Sequence, residues 1–331
     1  MAYINGLGVY VPEKIIDNAY LEKLVETSDE WITSRTGIKR RRMAAEDEIT
    51  SDLAYKASLA ALKDCGRSVD EITHVFVSSA TPDALCPVTA CVLIRKLGIK
   101  GVMAFDCNAA CSGFVNALQL AGYTAKADPN ALILVVSAEI MTRKVDWTDR
   151  TTCVLFGDGA GAVLVSQNLP PVPQGFSAKI EDILIDTDGD FSELITIHAG
   201  GSREHYAVGD PVERSHFIAM NGREVFKQAV RSMVNAAMTV LERNGLCIDD
   251  ISLIIPHQAN DRIIQAVGER LGVSGQKLFA NVSEYGNTSS ASVPLALNDA
   301  RQSALLPHGS RVILTTFGGG FIWTAALLSI I

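Results

Sequence analysis

The apolar positions fall into two rhythms that alternate along the chain. Residues 53–62 and 225–241 place hydrophobic side chains at the three- and four-residue spacing of an amphipathic helix. Residues 74–77, 131–137, 252–255 and 311–316 are short, largely apolar runs rich in Val, Ile and Leu, the pattern of a buried strand. A glycine closes each helical pattern, Gly66 and Gly245, where a helix end commonly turns left-handed. Strands alternating with helices give an α/β protein.

The pattern occurs twice. Set at an offset of 179, residues 61–72 and 240–251 keep Leu, Gly, Asp and Ile in step. The later segments repeat as well: a buried strand (131–137; 311–316), a glycine-rich turn, then another strand (155–166; 317–329). This duplication predicts two similar α/β halves, 1–170 and 171–331, about a pseudo-twofold axis. The boundary falls at 168–173, where prolines interrupt regular structure. Equivalent loops then face each other, so residues distant in sequence can converge on one site. At this offset Ser78 corresponds to His257, which places His257 at a strand end.

Composition narrows the setting. With 331 residues, 48% of them hydrophobic, the chain can bury a large core, and the net charge of −8 argues against general nucleic-acid binding. Lys39-Arg40-Arg41-Arg42 is a local exception that reads equally as a solvated charge run or as a basic group on a rim or at phosphates. The apolar runs at 131–138 and 321–331 are too short to span a bilayer, and residues 1–12 lack the basic start of a secretory signal. A cytoplasmic protein without membrane contact is expected. The seven cysteines form no CxxC pair and have no zinc-ligand spacing, so neither disulfides nor a metal is expected, and most of these thiols read as small buried hydrophobes.

One cysteine reads differently. Cys111, in Ala109-Ala110-Cys111-Ser112-Gly113, sits between an apolar strand and a helical run. Unpaired N–H groups and the positive end of the dipole at a helix start bias a thiol there toward the nucleophilic thiolate. Among six histidines, His257 stands out by its strand-end position before Gln258 and Asn260. Asn287 follows Gly286 before a small-residue helical run at 289–300, and alone reads as a turn residue. Gly318-Gly319-Gly320 joins two apolar strands, either as a tight bend or as backbone that approaches a ligand closely.

Taken together, Asn108-Ala109-Ala110-Cys111-Ser112-Gly113-Phe114, Pro256-His257-Gln258-Ala259-Asn260, Tyr285-Gly286-Asn287-Thr288-Ser289 and Phe317-Gly318-Gly319-Gly320 resemble the signature blocks of the β-ketoacyl-acyl carrier protein synthase III family. So do Thr27-Ser28-Asp29-Glu30-Trp31-Ile32 and Leu155-Phe156-Gly157-Asp158-Gly159. The resemblance runs in order over nearly the whole chain. It implies the thiolase fold, a five-layered αβαβα sandwich of two duplicated halves, in a homodimer.

The resemblance also implies a reaction. Cys111 would take the acyl group of an acyl-CoA, with the N–H groups of Cys111 and Gly319 as the oxyanion hole. His257 and Asn287 would stabilise the enolate formed when malonyl-acyl carrier protein loses CO₂. By the same resemblance Trp31, Arg35, Arg150 and Asn260 bind CoA, which is substrate rather than cofactor, Arg262 docks the carrier protein, and Phe156 and Cys86 belong to the acyl pocket. Trp31 alone would read as a core aromatic and Arg35 as a surface charge. Lys39–Arg42 would join a basic rim or bind the CoA phosphates, with a solvated charge run the equal alternative. Cys86 stands where acetyl-specific members carry a phenylalanine that closes the partner subunit's acyl pocket, which implies room for a longer or branched starter. Thr324 replaces a usual glycine or small residue and either narrows the tunnel or is neutral. A condensing or acyl-transfer enzyme of a polyketide or quinolone-type pathway is the alternative on this scaffold.

Overall fold

Each half is built by the same succession of elements. Strand β1 (Ala2–Tyr10) opens the first half, and a small hairpin, β2 (Lys14–Asp17) with β3 (Arg40–Met43), brackets helices α1 (Asn18–Leu21) and α2 (Asp29–Thr36). Then come α3 (Thr50–Cys65), β4 (His74–Ser78), α4 (Thr89–Leu97), β5 (Met103–Asp106), α5 (Gly113–Ala127), β6 (Leu132–Ile140) and β7 (Asp158–Ser166). The second half runs from β8 (Ser177–Thr187) through the short pair β9 (Ile195–Thr196) and β10 (Ala219–Met220) to α6 (Gly222–Arg243), β11 (Leu253–Pro256) and α7 (Asp261–Leu271). It closes with α8 (Val282–Tyr285), α9 (Ser292–Gln302), β12 (Arg311–Gly318) and β13 (Ile322–Ile330). The structure, a computed structural model, describes residues 1–169, 175–204, 209 and 214–331; the proline-rich boundary at 170–173 and His205 lie outside the described residues.

The strand order β4-β6-β7-β1 in the first half is matched by β11-β12-β13-β8 in the second, with β5 added at one edge. β1 and β8 pair antiparallel from Ala2–Ile180 to Asn5–Ser177, which joins the two sheets into nine continuous strands. The central strands are buried on both faces, the reason they read as unbroken apolar runs. Val75 and Val77 pack outward beneath α3 and α4, whereas Phe76 turns inward onto α5. Likewise Ile254 and Ile313 pack outward beneath α6 and α7, while Leu253, Ile255, Val312 and Leu314 face the inner layer that holds α5 and α9. Helix, sheet, paired inner helices, sheet and helix form the five layers of a thiolase-fold sandwich.

The equivalence extends to single residues. The turn Ala110–Ser112 before α5 and the turn Ser289–Ala291 before α9 lie 179 positions apart, as do the first residues of β6 and β12. Ala110 and Ser289 even share a left-handed backbone, φ 44 and 50. Both are non-glycine residues in a sparsely populated region, of the kind held by surrounding structure at functional sites.

Two expectations are corrected. Lys39–Arg42 is neither a free charge run nor a uniform basic rim: Arg41 is fully buried, donating to Asn18 Oδ1 at 2.9 Å and Val154 O at 2.7 Å. Burial lowers its pKa to about 10. Arg40 pairs with Glu284 at 3.2 Å and Arg42 donates to Pro12 O. The cysteines are not mostly core either. All seven are unpaired, only Cys65 and Cys153 are buried, and Cys86, Cys91 and Cys247 are exposed. Among the described residues no helix is long and apolar enough to cross a membrane, and no cluster of His, Cys, Asp or Glu is arranged to hold a metal.

Candidate active site

The chain leaves β5, and Asn108 Oδ1 accepts the Ala110 N–H at 2.9 Å, which fixes the strained turn carrying Cys111. Ser112 Oγ donates to Ile322 O at 2.9 Å, tying that turn to the second half. Helix α5 starts at Gly113, where a Cβ would lie 1.8 Å from Ser78 Oγ. Cys111 is thus at a helix start, as its sequence position indicates, and it is buried there. Burial, helped by the negative charge of Glu139, pushes its thiol up to about 12, against the pull of the Ser289 hydroxyl. Removing a sulfur anion from water disfavours it.

His257 is the residue after β11, held by its N–H donating to Thr315 O at 2.8 Å. Its Nδ1 lies 2.6 Å from Ser292 Oγ on α9, and that oxygen accepts the Gln258 N–H at 3.4 Å. A ring protonated at Nε2 accepts the Ser292 proton at Nδ1, and one protonated at Nδ1 donates to Ser292 instead. Burial lowers the His257 pKa to about 3, so the ring is a neutral donor.

Asn287 is not itself the left-handed turn residue; Gly286, at φ 64, takes that role. The Asn287 backbone pairs with the first half, N–H to Leu155 O at 2.8 Å and O from Gly157 N–H at 3.1 Å. So close an approach needs glycines, since a Cβ on Gly157 would lie 2.3 Å from Tyr285 O and one on Gly286 2.7 Å from Leu155 O. The Asn287 Oδ1 accepts the Ser289 N–H at 2.9 Å, which turns the NH₂ away as the free donor.

Cys111, His257, Asn287 and Gly319 line one cavity of about 1020 Å³. Gly318 passes so near the nucleophile that a Cβ there would lie 2.9 Å from the Cys111 nitrogen. Of the other expected residues, Asn260, Arg262 and Phe156 line the same cavity. Asn260 caps α7 through its Oδ1, accepting the Ile263 N–H at 3.0 Å, and so keeps its NH₂ for a ligand. Arg150 stacks on Trp31, Cζ 4.9 Å from the ring centroid, and donates to Glu26 O at 2.8 Å. Arg35 is exposed in the last turn of α2, whose following Gly37 packs against Asp261 beside Arg262.

Cys86 is exposed and lies outside the lining of its own chain's cavity, to which the neighbouring Leu85 contributes. Thr324 does not enter the cavity: its hydroxyl is bound to that of Thr316 at 2.7 Å inside the sheet, so it is neutral for the tunnel.

Three polar residues at the site were not singled out from the sequence. Ser292 orients His257, while Ser289 and Glu139 flank Cys111. At the offset of 179 they match Gly113, Ala110 and Gly318 in turn, small residues that carry no mark of a polar role.

Comparisons with known proteins identify the family of the chain. The family model for 3-oxoacyl-[acyl-carrier-protein] synthase III matches residues 105–189, and the model of that family's C-terminal part matches 241–330. A β-ketoacyl-[acyl-carrier-protein] synthase III of Oleidesulfovibrio alaskensis is 52% identical over 99% of this chain and 98% of the relative. The crystal structure of 3-oxoacyl-[acyl-carrier-protein] synthase III from Aquifex aeolicus superposes with a TM-score of 0.89 at 42% identity, over 99% of this chain and all of that one. The priming β-ketosynthase of the R1128 polyketide pathway gives the same TM-score at 34% identity, over 99% and 96%. At 52% identity over nearly its whole length, this chain belongs to the 3-oxoacyl-[acyl-carrier-protein] synthase III family.

Proposed function

We propose that the protein joins an acyl-CoA starter to malonyl-acyl carrier protein by decarboxylative Claisen condensation, initiating fatty acid synthesis through an acyl-Cys111 intermediate. The observation that carries this reading is the convergence of a thiol from one half and two neutral hydrogen-bond donors from the other on a single cavity. In the first half-reaction the Cys111 sulfur attacks the acyl-CoA carbonyl and CoA leaves as its thiol. The N–H groups of Cys111 and Gly319 hold the oxyanion. In the second, the malonyl carboxylate departs as CO₂ and the enolate carbon attacks the acyl-Cys111 thioester. The Nε2–H of His257 and the NH₂ of Asn287 stabilise the enolate oxygen. The released Cys111 sulfur takes a proton from solvent.

Trp31, Arg35, Arg150 and Asn260 bind the CoA thioester, which is the substrate, and no further cofactor is needed. Arg262 at the mouth meets the acidic carrier protein. The enzyme works as a cytoplasmic homodimer. Phe156 with Met141 and Ile218 forms the apolar acyl pocket, which Cys86 of the other protomer leaves open to starters longer than acetyl. The test is a panel of acetyl-, butyryl- and isobutyryl-CoA assayed with malonyl-acyl carrier protein against malonyl-CoA. Failure with every carrier-linked acceptor overturns the reading, and rejection of butyryl- and isobutyryl-CoA overturns the starter assignment. The likeness to a polyketide priming β-ketosynthase favours a second reading, a specialised pathway, which the same panel supports if acetyl-CoA alone is refused.

A further inference from the structure

The basic run at 39–42 has no part in the reaction as described, yet three of its residues hold the two chain segments that carry Asn287. On one side is α8, which leads into Gly286: Lys39 N–H donates to Ser283 O at 3.0 Å, and Arg40 pairs with Glu284. On the other is the segment 154–157, whose Leu155 O and Gly157 N–H bind the Asn287 backbone, with Phe156 directly opposite Asn287. Arg41 reaches the start of that segment, its Nη2 donating to Val154 O at 2.7 Å while its Nη1 donates to Asn18 Oδ1 at 2.9 Å. Its stem also runs against both glycines of the clamp. A Cβ on Gly157 would lie 2.9 Å from Arg41 Cβ, and one on Gly286 3.3 Å from it.

A guanidinium is an expensive group to place there. Both of its bonds go to uncharged oxygens, and its Nε has no hydrogen-bond partner among the described residues. Asp17, whose charge it feels, already accepts the Tyr20 N–H at 2.9 Å. Leucine or methionine would fill the same space without burying a charge. Neither could hold two oxygens on separate segments at fixed positions, as a rigid fork of donors does.

We propose that Arg41 is a positioning residue for condensation: by pinning Val154 it fixes the 155–157 clamp, and the clamp sets where the Asn287 side chain stands in the cavity. Arg41 itself is not part of the cavity wall. Its loss should leave the acylation machinery in place, because other contacts hold each part. Asn18 Nδ2 donates to Asp29 Oδ1 at 2.7 Å and to Ile38 O at 2.8 Å, which keeps α2 docked. Phe156 is packed by Met141, Val145 and Ile218, and the Cys111 turn is tied by Asn108 and Ser112.

This inference rests on Asn287 serving the condensation half-reaction. The test is Arg41→Lys, which keeps the charge and loses the fork. Single-turnover condensation of pre-acylated enzyme with malonyl-acyl carrier protein should fall about 10- to 100-fold, the scale of a displaced catalytic group, while acylation at saturating acyl-CoA stays within about twofold of wild type. A residue that merely supported the fold would lower both. In an Asn287→Ala background, Arg41→Lys should change condensation by no more than about twofold, since the group it positions is already gone. Arg41→Gln, with a single donor group in place of the fork, should show the same split. Condensation by Arg41→Lys at the wild-type rate, an equal loss in both half-reactions, or losses that add in the double variant overturn the proposal. Failure of both Arg41 variants to fold overturns it as well, by assigning Arg41 to the fold alone. Condensation by Asn287→Ala at the wild-type rate instead overturns the role given to Asn287 in the proposed function, and the positioning role with it.

Discussion

Ser292 Oγ lies 2.6 Å from Nδ1 of His257, so a hydroxyl on the first turn of α9 is the hydrogen-bond partner of the buried ring, and with the hydroxyl proton toward Nδ1 the ring keeps Nε2–H for the substrate. Replacing Ser292 with alanine removes that partner, and the ring then populates a tautomer with a bare Nε2. Condensation should slow by about tenfold, the worth of one hydrogen bond of roughly 1–1.5 kcal/mol. Acylation should stay near wild type. Rapid-quench measurement of the two half-reactions separates them, and an equal loss in both would assign Ser292 to the fold alone.

Because Asn287 offers its NH₂ only to the second half-reaction, Asn287→Ala should still form acyl-enzyme and fail to condense. A lost oxyanion-type donor costs about 3–4 kcal/mol, or 10²–10³ in rate. Mass spectrometry of the intact protein after acyl-CoA alone, followed by addition of malonyl-acyl carrier protein, reads both steps. No acyl adduct on Asn287→Ala would show that the division of roles is wrong.

His257 gives stability a pH dependence of known sign. Its pKa falls from 6.5 to about 3 on folding, so below 6.5 the unfolded chain binds a proton that the folded chain refuses. The stabilising preference for the neutral ring is complete above 6.5 and is lost as pH falls from 6.5 toward 3, at up to about 1.4 kcal/mol per pH unit. Asp158, raised to about 6 by burial, acts in the opposite sense between 6 and 3.8, so the whole protein partly conceals the effect. Comparison with His257→Asn isolates it: the stability difference between the two proteins, from denaturant melts at pH 7, 6 and 5, should shift against wild type as pH drops. A constant difference would mean that the imidazole can be protonated in place.

Gly318→Ala tests the closeness of the glycine loop to the nucleophile. Its Cβ would meet the Cys111 nitrogen at 2.9 Å and the Ala109 oxygen and Ser112 nitrogen at 3.0 Å, all backbone atoms that must shift. Overpacking of this kind costs about 1–3 kcal/mol. Here the displaced atoms carry the oxyanion donor, so acylation should drop at least about tenfold, as misplaced catalytic geometry does. Stopped-flow detection of released CoA measures it, and an unchanged burst would show that the turn has slack.

What the sequence revealed depended on whether a residue's role was fixed locally. The repeat was legible because strands buried on both faces must be apolar and because Gly66 and Gly245 take left-handed backbone, φ 67 and 64. Cys111, His257 and Asn287 were legible because their neighbours form recognisable blocks. Ser289, Ser292 and Glu139 were not, since a serine in a small-residue run and one acid in an apolar run carry no local mark of their partners, which lie 150 residues away for Ser289 and Glu139. Arg41 was misread for the same reason: only the fold shows that it passes inward to Val154. Beside the helix-start bias read for Cys111 stands burial, which sequence spacing does not report and which pushes its thiol up.

The ladder between β1 and β8 also acts as a ruler. The nucleophile hangs from one half and its two donors from the other, and four residues of each strand, Ala2 to Asn5 against Ser177 to Ile180, stop the halves from shearing past each other. The extreme N-terminus, far from any chemistry, thereby sets the spacing of the pocket. Trimming it would take Ala2 and Ile4 out of the core along with the ladder.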